Sequence, residues 1–150
     1  MIVRLADERD IPFLVSVVSK MISELVCPEY INEDPSVLHE AVGNFLKHDI
    51  IETVVAEENQ ELIGLFTALY SPYQWNPSRM CAEEQGVWVK EGAPLLTMRR
   101  LWRFVERRMK ERGVSVIFAK TRAGGPESIK RIYNRFGMAP FQTYYTGEVR

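Results

Sequence analysis

The chain has 150 residues, 46% of them hydrophobic and 26% charged, with a net charge of −1. That is the length of one domain (1–150) with a core of its own, and the composition is ordinary for a soluble globular protein. The near-neutral balance gives no global sign of a nucleic-acid binder. Two cysteines, Cys27 and Cys81, make neither a CxxC pair nor a disulfide framework, which fits a reducing compartment. Asp7, Glu8, Arg9 and Asp10 interrupt any early apolar run, so no signal peptide is expected. No apolar stretch approaches the roughly 18 residues of a membrane span. The expected location is cytoplasmic.

Residues 2–5 (IVRL) read as a short strand. Asp7 suits the cap of a following helix, and Pro12 is tolerable near its first turn. Ile11, Leu14, Val15, Val18, Met21, Ile22 and Leu25 then share one face, predicting a helix to about Val26, stopped by Cys27-Pro28. Asp34-Pro35 restarts a helix as cap and first position, carried to about His48 by Leu38, Ala41, Val42, Phe45 and Leu46. The period then changes to two. Thr53 to Glu57 and Leu62 to Tyr70 form a hairpin about Glu58-Asn59-Gln60, where Asn59 suits positive φ. Residues 71–79 (SPYQWNPSR) read as a loop, whose Tyr73 and Trp75 fit either a cleft wall or a lid over the core.

From Glu83 to Gly113 a strand passes through a Gly-Pro connection into one amphipathic helix. The strand carries Glu83, Glu84 and the apolar run Val87-Trp88-Val89. The helix places Leu95, Met98, Leu101, Trp102, Val105 and Met109 at spacings of three and four. Residues 97–112 hold seven basic side chains against two acidic ones, Glu106 and Glu111. A strand opening into a helix N-terminus is a usual place to hold a phosphorylated ligand. Val114 to Ala119 (VSVIFA) suits a buried strand, and the strand–helix–strand order implies a parallel, right-handed crossover. Gly124-Gly125-Pro126 is a loop, Pro126 begins a helix closed by Gly137, and the alternating tail FQTYYTGEV is a last strand. The tally β-α-α-β-β-β-α-β-α-β describes an α/β (α+β) fold, a mixed, mostly antiparallel sheet flanked by helices.

That order resembles the GNAT N-acetyltransferase superfamily over essentially the whole chain. Val3-Arg4-Leu5-Ala6 and Asp10-Ile11 are similar to its opening strand and helix, and Glu84 with Val87-Trp88-Val89 to its fourth strand. Met109-Lys110-Glu111-Arg112-Gly113-Val114 is similar to the end of its cofactor helix. Ile132-Tyr133-Asn134-Arg135-Phe136-Gly137-Met138 matches its Leu-Tyr-x-x-x-Gly-Phe signature. The size and loop form resemble divergent members from phage and prophage genomes. The family's Arg/Gln-x-x-Gly-x-Gly/Ala loop, however, is here Gly92-Ala93-Pro94-Leu95-Leu96-Thr97-Met98, with one glycine and a proline that has no N–H to donate.

The resemblance implies an acetyl-CoA-dependent N-acetyltransferase, acetyl-CoA being a co-substrate and no metal being needed. The acceptor is a primary amine of a small molecule or protein, attacking directly. Glu84, or else Glu83, is the implied base and Tyr133 the acid that protonates the departing thiolate. Adjacent strand residues face opposite ways, so only one of the two glutamates can point to a given cleft. The implied cofactor contacts are Val87, Trp88, Val89, Leu95, Leu96, Thr97, Met98, Arg99 and Arg100, with Ser128 as a weak substitute for an asparagine replaced by Pro126. Arginines in a helix's first turns oppose the macrodipole, and make sense beside an anion or as a solvated face. Likewise the glutamates read as catalytic or as strand-edge charges, and Tyr133 as an acid or as packing beside Ile129, Ile132 and Phe136.

His39 and His48 lack the partners of a zinc site, and Cys81 has no histidine near it in sequence. Two other readings stand beside the enzyme: a catalytically inactive GNAT-fold module binding coenzyme A or a protein partner, and a binder of nucleic acid or a phosphorylated partner through the basic helix. Overall acidity and the lack of interleaved exposed aromatics count against the last. No membrane partner is expected, and the tyrosines of the terminal strand offer a homodimer face.

Overall fold

The computed structural model of the chain describes residues 1–23, 34–119 and 127–139, with the backbone alone at 35 and 127–129. The expected last strand, the Gly124-Gly125-Pro126 loop, the Cys27-Pro28 stop and the side chain of Ser128 lie outside that description. In chain order the elements are β1 (Ile2–Leu5), α1 (Ile11–Ser23), α2 (Pro35–Lys47), β2 (Ile51–Glu58), β3 (Glu61–Tyr73), β4 (Asn76–Val89), α3 (Thr97–Glu111), β5 (Val114–Phe118) and α4 (Glu127–Arg135). They form one mixed sheet in the order β1-β2-β3-β4-β5, antiparallel through β4 and parallel between β4 and β5. No described helix is long and apolar enough to cross a membrane.

Local chemistry sets the boundaries. Asp7 accepts from the Arg9 N–H at 3.1 Å while Asp10 accepts from the Asp7 N–H at 2.9 Å, a reciprocal cap on a 3-10 turn that leads into α1. Asp34 caps α2 by accepting from Ser36 N–H at 2.9 Å, with Pro35 at the first position, where no N–H is missed. Glu58 pairs with Glu61 across a two-residue turn in which Asn59 and Gln60 both take positive φ, at 51° and 67°. Such a turn matches the twist of the strands it joins.

The segment 71–79 departs from the expected loop. β3 continues to Tyr73 and β4 starts at Asn76, so the connection shrinks to Gln74-Trp75. Main-chain pairing across the hairpin satisfies groups that a loop would leave to water, which outweighs the two prolines. Trp75 stands 78% exposed at the tip, and Tyr73 packs beside Phe118 with ring centroids 5.9 Å apart.

Each face of the sheet has its own core. On one, Val54, Ala56, Phe66, Ala68, Tyr70 and Ala82 meet Leu101, Trp102, Val105 and Met109 of α3. On the other, Val55 and Leu65 meet Leu14, Val17 and Val42 of α1 and α2. α3 approaches the sheet most closely at Gly64, where an added Cβ would lie 2.9 Å from Leu101 Cδ1 and 3.3 Å from Thr97 Cγ2. Glycine is required there by space rather than by backbone angle.

Candidate active site

β4 and β5 pair from Met80–Val114 to Glu83–Phe118, and the described ladder ends there. The parallel pairing expected from the strand–helix–strand order is present, but it uses Met80 to Glu83 and leaves Val87-Trp88-Val89 beyond the ladder. At the same level β4 bulges: Thr67 pairs with Gly86 and Ala68 with Glu84, so Gln85 has no partner on β3. The bulge resets the alternation. Val87 and Val89 pack with the α3-side core, Trp88 packs on the other face edge-on to Phe13 (5.7 Å), and Glu84 falls on the α3 side.

Glu84 is 4% exposed and Tyr133 is 7% exposed, and the Tyr133 hydroxyl donates to Glu84 Oε2. α4 is positioned for this contact by Phe136, whose ring stacks on Trp102 with centroids 4.4 Å apart. Its end is tied down by Met138 N–H donating to Tyr133 C=O at 3.1 Å, with Gly137 at φ 77°. Burial first, and then the charge of Glu84, push the Tyr133 hydroxyl well above the usual phenol range. Glu83 lies opposite Leu69 on the other face, half-buried. Of the two carboxylates, the structure brings Glu84 to the tyrosine and points Glu83 away from it.

The second part of the site is the first turn of α3. Gly92 takes φ 77° after Val89, and the Thr97 N–H reaches Pro94 C=O at 2.8 Å. Leu96 occupies the cap position with no side-chain hydrogen bond, and among the described residues the N–H groups of Met98 and Arg99 have no backbone acceptor. Thr97 is fully buried, and its Oγ1 has no hydrogen-bond partner among the described residues. Leu95 is fully exposed, Leu96 about half, and Met98 is half-buried. Arg99 and Arg100 are exposed, Arg100 donating to Met1 C=O at 3.3 Å. Arg103, one turn beyond Arg99 and also exposed, was not singled out in the sequence, although the i, i+4 spacing places it beside Arg99. Among the described residues neither Arg99 nor Arg103 has an acidic partner. The first-turn N–H groups and exposed guanidiniums without a partner among the described residues form a donor set suited to phosphate.

A separate cleft of about 770 Å³ opens on the α1 face, among Arg4, Asp10, Phe13, Glu57, Trp88 and Lys90. The charges at its centre are already paired: Arg4 donates to Asp10 at 2.7 Å and to Glu57 at 2.9 Å. Burial opposes ionisation of Asp10, but the Arg4 guanidinium and the Asp7 N–H outweigh it and hold the carboxyl below its ordinary range. It fits a structural cluster better than a ligand site.

No protein-family model and no curated protein matches the sequence. Solved structures match nearly end to end. A transcriptional regulator from Bacillus halodurans C-125 is 21% identical with a TM-score of 0.80, covering 99% of each chain. A predicted acetyltransferase from Clostridium acetobutylicum, solved with acetyl-CoA, is 19% identical at 0.75, covering 98% of this chain and 95% of that one. An aminoglycoside acetyltransferase from an uncultured soil metagenomic sample is 14% identical at 0.74, covering 99% and 98%. With its mixed sheet flanked by helices and end-to-end agreement with these structures, the chain has the fold of the GNAT N-acetyltransferases.

Proposed function

We propose that this chain is an acetyl-CoA-dependent N-acetyltransferase, in which a primary amine attacks the bound thioester directly. The observation that carries the reading is the contact of Glu84 with Tyr133. Just past Glu83–Phe118, the last described β4–β5 pair, a buried carboxylate and a buried tyrosine meet, and β4 then leads to a helix start whose first N–H groups have no backbone acceptor among the described residues. The solved neighbour holding acetyl-CoA supports the choice of donor. The aminoglycoside acetyltransferase supports a small-molecule amine as acceptor, with a protein amine the alternative.

In this reading the first turn of α3 holds the phosphates of coenzyme A. Pro94 offers no N–H, so the backbone cradle is poorer than a glycine loop would give, and Arg99 and Arg103 add charge in its place. Arg100 contributes less, being drawn toward Met1. Val87 and Val89 back the open edge of β4, and Glu84 and Tyr133 handle the protons. Leu95 and Leu96, just ahead of the helix, form an apolar rim rather than donors.

Calorimetric titration with acetyl-CoA tests this. The unaltered chain is expected to bind, and Arg99→Ala to weaken binding about tenfold, the worth of one charge-assisted contact. An absence of binding at high micromolar acetyl-CoA would sink the enzymatic reading. The inactive-module reading, favoured by the proline and leucines just ahead of the helix, predicts binding without thiol release across a broad amine panel.

A further inference from the structure

Glu84 and Tyr133 come from elements far apart in the chain, and the tyrosine donates its proton straight into the carboxylate. This contact limits what each can do alone. A tyrosine that protonates a thiolate becomes a phenolate, which here would face an ionised carboxylate at hydrogen-bond distance in a buried site. Two anions so placed strongly disfavour one another. A carboxylate that accepts from tyrosine, in contrast, keeps lone pairs for a second proton. An acid step with Glu84 still ionised therefore conflicts with the geometry, so the tyrosine gives up its proton only together with proton uptake by Glu84.

Resting on the acetyltransferase reading, we infer that Glu84 and Tyr133 form a single proton relay that carries the proton shed by the attacking amine to the departing thiol sulfur. The lone pair of the neutral amine makes the C–N bond at the thioester carbonyl carbon, and the C–S bond breaks with its pair passing to sulfur. The nitrogen's proton goes to Glu84. The Tyr133 hydroxyl proton goes to sulfur, and the proton on Glu84 crosses the existing hydrogen bond to the tyrosine oxygen. The net change is one proton moved from nitrogen to sulfur, leaving Glu84 ionised and Tyr133 neutral as they began. No free phenolate forms. The upward push on the Tyr133 hydroxyl, adverse for an independent acid, is harmless in a relay that reprotonates the oxygen as it gives up its proton. Glu83 cannot substitute, because it lies across from Leu69 on the opposite face while Glu84 lies across from Ala68 on the core side.

The test uses the full chain, acetyl-CoA and a panel of primary amines comprising a polyamine, an aminoglycoside and a peptide, with E84Q, Y133F and the double variant beside it. Each single variant is expected to lower kcat about a hundredfold, the usual scale of acid–base assistance. The double variant should fall no further than the worse single one, because one wire is cut twice. In mixtures of light and heavy water the unaltered chain should give a curved dependence of kcat on deuterium content, and Y133F a linear one. With 13C-labelled tyrosine, the Tyr133 titration should fall in E84Q, with burial still holding it above the ordinary value of about 10. Additive losses in the double variant, or a linear isotope dependence in the unaltered chain, overturn the relay while leaving acetyl transfer intact. The second readout needs no variant to fold. Failure of the unaltered chain to acetylate any amine of the panel overturns the enzymatic reading itself, and the relay with it.

Discussion

The C-terminal half of α3 has its charges answered. Arg108 donates to Glu52 at 2.6 Å, Arg112 at 2.9 Å, and Tyr70 adds a third donor to the same carboxylate at 3.1 Å. Arg112 also lies over the Tyr70 ring, 4.6 Å from its centroid, while Lys110 pairs with Glu106 and Arg107 with Glu111. The N-terminal half bears Arg99 and Arg103 with no acidic partner among the described residues, over a first turn with free N–H groups. One helix thus fastens the fold with its last turns and offers charge with its first. Uniform basicity along a sequence therefore says little about binding until each cation's partner is known.

Glu52→Ala should produce the largest effect. It strands the Arg112 guanidinium and a buried hydroxyl and leaves Arg108 with Glu111 alone, at a cost of about 3 kcal/mol in chemical denaturation. Gly64→Ala acts on the other half by wedging a methyl between β3 and the start of α3. It should destabilise by about 1–3 kcal/mol and weaken acetyl-CoA binding at the same time, which Glu52→Ala should do less. A chain that tolerated it unchanged would show that α3 does not need its close seat.

Titration reports on the fastened half. Burial raises the Glu52 carboxyl, but hydrogen bonds from Arg108 and Arg112 more than offset this and hold it below the usual range. A depressed carboxyl contributes stability that is present above its unfolded value of about 4.5 and disappears as pH falls through its folded value. Unfolding midpoints should therefore decline from about pH 5 downward, and the decline should flatten in Glu52→Gln. The smallest stability effect belongs to Arg99→Ala and Arg103→Ala, each within about 0.5 kcal/mol. A larger loss in either would mean that the free half is structural after all.

Much of the frame was legible because its signals are local. Asp7 and Asp34 marked helix starts, Asn59 marked a tight turn, and the three-and-four spacing from Leu101 to Met109 gave the buried stripe of α3. What escaped depends on distant partners. The extension of the hairpin to Tyr73 and Asn76 is set by pairing, not by the prolines beside it. Counting back from Val87 by alternation places Gln85 on the α3 side, whereas the bulge gives that place to Glu84; only the register against β3 reveals this. Arg103 looks like its neighbours in sequence because nothing local shows that Arg108 and Arg112 are taken while it has no acidic partner among the described residues. Tyr133 was legible from its surrounding motif, but its contact with Glu84 was not, since 49 positions separate them.

The crossover also bears on time. β1 to β4 lie side by side as antiparallel strands, and two tight turns join β2 to β3 and β3 to β4. β5 reaches its place only after the chain has crossed the sheet through α3, and it is held to β4 over Met80 to Glu83. Pairings that wait on a long crossover form late and open early. Amide hydrogen exchange should therefore run faster in β5 than in β2 and β3, and a bound ligand bridging the open edge of β4 to α3 should slow it.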